Sequence, residues 1–349
     1  MKKKALIFGV TGQDGYYLSK LLLSKNYIVH GVRRRNSVIS NFRIDELYLS
    51  NKNKFILHYG DITDGASVGK IIRRSNPNEI YNLAAQSHVG ISFDLAHYTN
   101  DVNATGVLNI LENILTINKG IKFYQASTSE IYGGINNIQS EKTRFVPKSP
   151  YGIAKLYAYW ITKTYRDSYN MFCSNGILFN HESPLRGENF VTRKITKGVA
   201  EIAEGKKKII YLGNIDTYRD WGHAEDYVYA MWKILQLNKP IDLVICTGKT
   251  YTVRDFIKRC FKKIGYKIYW KGKNFKEVGY IIKNKKKILV VKISKKYFRP
   301  NEVKMLRGDN SLAKKMINFK PKKSINDLID EMIKNDRDIF RKEQINQLS

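Results

Sequence analysis

Cysteine is scarce in this chain: Cys173, Cys246 and Cys260 are the only three among 349 residues. Widely spaced thiols suit neither a disulfide framework nor a zinc site, so a reduced cytoplasm and no metal are expected. Long apolar runs are missing as well. Ala5-Leu6-Ile7-Phe8 behind Lys2-Lys3-Lys4 imitates the start of a signal peptide but stops at Gly9. It is too short for a leader or a membrane span and reads as a first strand. Acids are half as frequent as bases, 31 Asp+Glu against 61 Lys+Arg, giving a net charge of +30. Such an excess raises the question of nucleic acid. The bases are scattered, residues 251–349 included, and form no recognisable nucleic-acid module. A lysine-rich composition and a need to bind phosphates account for them, so no nucleic-acid partner is expected.

What is present has the order of a dinucleotide-binding sheet. A strand over Ala5–Val10 runs into Gly9-x-x-Gly12-x-x-Gly15 and an amphipathic stretch, Tyr16–Ser24. Glycines so placed permit a tight turn, close approach of backbone to a pyrophosphate, and helix–strand packing. A second strand, Tyr27–Val32, ends in Arg33-Arg34-Arg35, where an NAD enzyme usually carries an acid. Arginines there fit a 2′-phosphate and favour NADP. Phe55–Tyr59 is a third strand, and Gly60-Asp61-Ile62 after it offers a carboxylate to an adenine amine. Ile80–Ala84 leads into Ala85-Gln86-Ser87-His88, and Phe123–Ser127 delivers Thr128 and Glu130 at its carboxyl end, the edge where open α/β sheets bind ligands. Helical stretches at Ala66–Arg74, Asp101–Asn118 and Tyr151–Tyr169 alternate with these strands. The class is therefore α/β, a Rossmann-type doubly wound parallel sheet, followed by a smaller α/β C-terminal domain. Residues 1–180 are expected to form the nucleotide domain, with a segment near 211–245 returning to it. Residues 181–349 would mainly bind substrate, and the apolar stripe Ile325, Leu328, Ile329, Met332 would pack a last helix on that part.

Chemistry concentrates in Ser149-Pro150-Tyr151-Gly152-Ile153-Ala154-Lys155 and, upstream, Thr128-Ser129-Glu130. Tyr-x-x-x-Lys puts a phenol and an ammonium one helical turn apart, and the ammonium's field should favour phenolate. The tyrosine could then take a hydroxyl proton near neutral pH. A nearby glutamate adds a second acid/base, which a plain alcohol dehydrogenase does not need. Proton removal from carbon is the natural use for it. The polar segment Asn180-His181-Glu182-Ser183-Pro184-Leu185-Arg186-Gly187-Glu188 is too rich in functional groups for a linker. Lys194, Arg219 and Arg299, if they converge, would suit a pyrophosphate.

With these residues in view the chain resembles the extended short-chain dehydrogenase/reductase superfamily and, within it, the GDP-mannose 4,6-dehydratases. The resemblance spans roughly residues 3–335. Its most specific stretches are Asn175–Pro184, Phe190–Ile195, Arg219–Ala224 and Tyr297–Pro300. It implies tightly held NADP and conversion of a GDP-manno sugar to a 4-keto-6-deoxy product with loss of water. Tyr151 would then be the base for the C4 hydroxyl, Lys155 would lower its pKa and touch the nicotinamide ribose, Thr128 would bond the C4 oxygen, and Glu130 would act at C5 and C6. Gly9, Thr11, Gly12, Gln13, Asp14, Gly15, Arg34, Asp61, Ile62, Leu83, Gln86, His181 and Arg186 match cofactor positions. Ser87, Asn180, Lys194, Arg219, Arg299 and Glu302 match positions for the GDP-sugar. The loop at Arg35, Asn36 and Ser37 resembles one that reaches a neighbouring subunit's cofactor, implying a homotetramer. Leu185 stands where many members carry a second arginine, and a GDP-manno-heptose would suit the same chemistry. A reductase or epimerase would keep Tyr151 and Lys155 but usually lacks the Thr128 and Glu130 pairing.

Overall fold

The computed structural model describes residues 2–35, 43–135, 137–206, 208–298 and 300–348, of which 344–348 as backbone only. Six strands, β1 (Lys4–Phe8), β2 (Ile28–Arg33), β3 (Phe55–Tyr59), β4 (Glu79–Asn82), β5 (Lys122–Thr128) and β6 (Cys173–Leu178), join a seventh at Leu243–Ile245. The order is Leu243–Ile245, β6, β5, β4, β1, β2, β3, all parallel. Strands such as Ala5-Leu6-Ile7-Phe8 are apolar without alternation because both faces are covered. On one face, Leu18 and Leu22 of the helix Gln13–Ser24 meet Tyr227, Met231 and Ile234 of Ala224–Leu235. On the other, Val68 and Ile72 of Gly65–Ser75 pack with Ile110 and Ile114 of Gly106–Ile117 and with Ala158 of Pro150–Tyr169. Helices on both faces make the sheet doubly wound.

A second core lies in the C-terminal half. The strands Tyr269–Lys271, Val278–Lys283, Lys286–Ile293 and Ile210–Leu212 form a four-stranded sheet in that order. Ile195 and Val199 of the helix Val191–Ala203, Phe256 and Phe261 of Val253–Lys263, and Leu328 and Met332 of the last helix fill it. That last helix runs Ile325–Leu348, well past the apolar stripe that ends at Met332. Buried Asp336, ion-paired to Arg193 Nη2 at 2.6 Å, and buried Phe340 keep the extension packed. The stretch expected to be one helix from Asp101 to Asn118 begins with a wide π turn over Asp101–Thr105. There Gly106 presses onto Ile62, where a Cβ would come within 2.7 Å of Ile62 Cγ1.

Candidate active site

The glycine loop forms a cradle at the end of β1. Gly9 has φ +82°, and a Cβ on it would lie 2.7 Å from Ala84 N, so only glycine fits between β1 and β4. A Cβ on Gly15 would stand 2.4 Å from Val10 O, which fixes how closely the first helix meets its strand. Gly12 precedes that helix and offers no capping side chain. The first-turn N–H groups are therefore left to a ligand, and the helix end favours an anion. A dinucleotide's pyrophosphate fits this cradle.

Beside it lies a buried network joining the two halves of the chain. His181 Nδ1 is 2.8 Å from Phe179 O, an acceptor, and Nε2 is 2.7 Å from Asp14 Oδ2. With both ring nitrogens facing acceptors, an imidazolium–carboxylate pair satisfies the geometry. Burial alone would raise the Asp14 carboxyl, but His181 outweighs it and holds the group below the usual value. Burial would likewise lower His181, and Asp14 reverses the sign. Gln13 is tied in through Nε2 to Asp14 Oδ1 at 3.1 Å and to His181 O at 3.2 Å, while Ser183 Oγ donates to Gln13 Oε1 at 2.7 Å.

The acid/base residues come from two neighbouring turns. Ser149 Oγ accepts from Gly152 N at 3.0 Å and Pro150 occupies the first helical position, so the helix begins one residue before Tyr151. Thr128 closes β5 and caps the short turn Ser129–Tyr132, its Oγ1 accepting from Glu130 N at 3.3 Å. Gly152 allows the two turns to meet: a Cβ there would lie 3.1 Å from Glu130 O. Tyr151, Lys155, Thr128 and Glu130 are all buried. The spacing of Tyr151 and Lys155 predicts an acidified phenol, whereas the protein's own surroundings shift the phenol the other way. Burial pushes Tyr151 up to about 12, against a lowering contribution from the Thr128 side chain. Burial also pulls Lys155 down to about 8, and its Nζ donates to Ala126 O at 2.9 Å. One helical turn puts both groups on the same cleft, and desolvation is the largest influence on each.

These groups share one cleft of about 1130 Å³. Asp14, Leu83, Ser87, Thr128, Glu130, Tyr151 and Lys155 line it from the N-terminal half, and Asn180, His181, Arg186, Lys194, Arg219 and Glu302 from the C-terminal half. Asn180 Oδ1 is buried there without a hydrogen bond. Arg219 Nη2 lies 3.3 Å from Glu302 Oε1, and Lys194 Nζ sits 3.4 Å over the Tyr297 ring. Other expected residues lie off the wall of this cleft. Arg34 is exposed and donates to the Tyr98 hydroxyl. Asp61 accepts from Thr63 N at 3.0 Å. Ile62 is core. Gln86 is held by Asn103, Thr99 and His88. Arg35 is exposed, and Arg299, Asn36 and Ser37 fall outside the described residues.

Three residues with no role of their own in the sequence pattern also take part. Glu182 lines the cleft, pairs with Arg186 at 3.0 Å and accepts from Thr192 at 2.6 Å. Phe190 stacks under Arg186 at 3.6 Å and faces His88. Arg43 donates to Thr11 O at 3.3 Å and Leu185 O at 3.0 Å, strapping the glycine loop to the second half. For Glu182 the four-residue spacing to Arg186 was an available signal; the other two had none.

Fold and site together define an acid/base enzyme built on a dinucleotide-binding sheet. The GDP-mannose 4,6 dehydratase family model matches residues 6–332. A GDP-mannose 4,6 dehydratase of Drosophila melanogaster is 52% identical, covering 98% of this chain and 88% of that one. A GDP-mannose 4,6-dehydratase of Vibrio cholerae is 48% identical over 100% of this chain and 97% of its own. Among solved structures, dTDP-glucose 4,6-dehydratase from Bacillus anthracis superposes with a TM-score of 0.78 at 19% identity, covering 95% and 96% of the two chains, which bears on the fold alone. The chain belongs to the GDP-mannose 4,6-dehydratase family.

Proposed function

We propose that the chain converts GDP-mannose to GDP-4-keto-6-deoxymannose with loss of one water, using bound NADP. The observation that carries this reading is the meeting of Thr128, Glu130, Tyr151 and Lys155 with Asn180, Lys194 and Arg219 on one cleft. The glycine cradle and the neighbouring helix end would hold the dinucleotide, with Asp14, His181 and Arg186 beside it. Arg33, Arg34 and Arg35, with no acid among them, support a 2′-phosphate and so NADP. When bound, the dinucleotide would supply an acceptor for the C4 hydride and a donor of it to C6, and the positive charge of its oxidised ring would lower the Tyr151 phenol.

Tyr151 takes the proton of the C4 hydroxyl, and Thr128 bonds the oxygen as it becomes a ketone. The ketone acidifies C5–H, which Glu130 removes. Glu130 then hands that proton to the departing C6 hydroxide, which leaves as water. The proton held by Tyr151 balances the one delivered back to C5. Lys155 keeps the phenol's surroundings cationic, and Lys194, Arg219, Arg299 and Glu302 hold the diphosphate end. Relatives about half identical over nearly the whole chain carry the GDP-mannose name, which does not favour the heptose. A cytoplasmic tetramer, with the Arg35 loop reaching a neighbour's cofactor, belongs to the same proposal.

Incubating the protein with NADP and either GDP-mannose or GDP-manno-heptose tests it. GDP-mannose should yield a product lighter by one water, carrying solvent deuterium at C5. An unchanged mass, or C4 exchange without dehydration, would overturn the reading in favour of a reductase or epimerase.

A further inference from the structure

The helix Val191–Ala203 lays one stripe along the cleft, with Val191, Lys194, Lys197, Gly198 and Glu201 on its wall. Lys194 and Glu201 stand two turns apart, about 10 Å along the axis. That matches the reach of a nucleoside diphosphate from its phosphates to the far edge of a purine. Between them Gly198 keeps the floor low: a Cβ there would come within 2.6 Å of Ile210 Cγ1, so helix and strand Ile210–Leu212 nearly touch.

Glu201 is only 7% exposed at the end of this stripe. Its Oε2 is buried without a hydrogen bond. Lys208 Nζ stands 2.9 Å from that oxygen as an ion pair, and Lys208 is half exposed on the same cleft. A buried carboxylate on a ligand cleft, paired with one ammonium at its edge, has lone pairs for further donors. An ionised carboxylate only accepts, and an ammonium only donates. Guanine offers the complementary edge, with N1–H and N2–H₂ donors beside the O6 acceptor. Adenine places a donor at N6 and an acceptor at N1, so against this pair its polarity is reversed.

We propose that Glu201 reads the N1–H and N2–H₂ edge of guanine in the substrate's nucleotide, with Lys208 meeting O6. The inference rests on the GDP-sugar reading above and assigns the residues that would distinguish its base.

Calorimetric binding of GDP, IDP and ADP to the full chain tests it, in the wild type and in Glu201→Ala and Glu201→Gln. IDP lacks only the N2 amino group. The wild type should bind GDP about ten- to a hundredfold more tightly than IDP, the range for a hydrogen bond to a charged group. In Glu201→Ala that ratio should collapse to near one, and Glu201→Gln, which keeps volume and one acceptor, should fall between. Should Glu201→Ala fail to fold, the glutamine variant carries the same comparison. A GDP/IDP ratio unchanged by either substitution, with GDP still favoured over ADP, would overturn this assignment and leave the GDP-sugar reading standing. Equal binding of ADP and GDP by the wild type would overturn both.

Discussion

Lys155 should be a residue the enzyme holds at the expense of its own stability. Its ammonium is buried, satisfied by one carbonyl at 2.9 Å, and its pKa falls from the usual 10.5 to about 8. The unfolded chain keeps this proton up to about pH 10.5, whereas the folded protein releases it from about pH 8. Between those values the unfolded state binds more protons, so stability rises with pH. At about 1.4 kcal/mol per pH unit the depression corresponds to a folding penalty of about 3 kcal/mol near pH 7. Lys155→Met removes the charge at similar volume, so it should stabilise the nucleotide-stripped protein by about 1–3 kcal/mol at pH 7 while abolishing turnover. Other lysines and tyrosines titrate in the same window, so the quantity to measure is the wild-type–variant difference. Urea denaturation at pH 7, 8, 9 and 10 gives it, and the variant's advantage should shrink toward zero by pH 10. A variant less stable than wild type at pH 7, or a difference indifferent to pH, would refute the reasoning.

Three other substitutions probe separate links. Gly9→Ala forces a positive φ on alanine and drives its Cβ against Ala84 N, so it should cost about 2–5 kcal/mol in denaturant melts and weaken dinucleotide binding. Asp14 has a lowered folded pKa, so its stabilisation is present above the unfolded value and lost as pH falls through the folded one. His181 is raised, so its share is present below the unfolded value and lost as pH rises past the folded one. Asp14→Asn should therefore destabilise most at mildly acidic pH, between the ordinary values of about 4 and 6.5, and progressively less below about pH 4 in thermal melts. Glu130→Gln should bind NADP with wild-type affinity in a fluorescence titration yet release no dehydrated product; wild-type turnover would contradict its role.

Much of the sheet could be read from the chain because parallel strands buried on both faces leave continuous apolar runs. Phe55–Tyr59 was placed to the residue, and β5 to within one at each end. The short polar strands Asn180–Glu182 and Trp221–His223, which pair in parallel, could not be seen, since three residues carry no period and their side chains serve the cleft. The join of Ile210–Leu212 to the hairpin strand Lys286–Ile293 was hidden by some seventy intervening residues. At the site, motif spacing located Thr128, Glu130, Tyr151 and Lys155 because helix and strand geometry is local. It misjudged the charge balance of Tyr151 and Lys155, since desolvation depends on what the rest of the fold packs over them. Arg43 and Phe190 owe their places entirely to tertiary packing.

The central claim is that hydrogen removed from C4 is returned to C6 of the same sugar, with Glu130 expelling water in between. GDP-mannose carrying deuterium at C4 tests it in one experiment. The label should reappear in the C6 methyl group of the dehydrated product, with unlabelled GDP-mannose in the same tube giving none. Label lost to solvent, or a product whose methyl group is unlabelled, would contradict it.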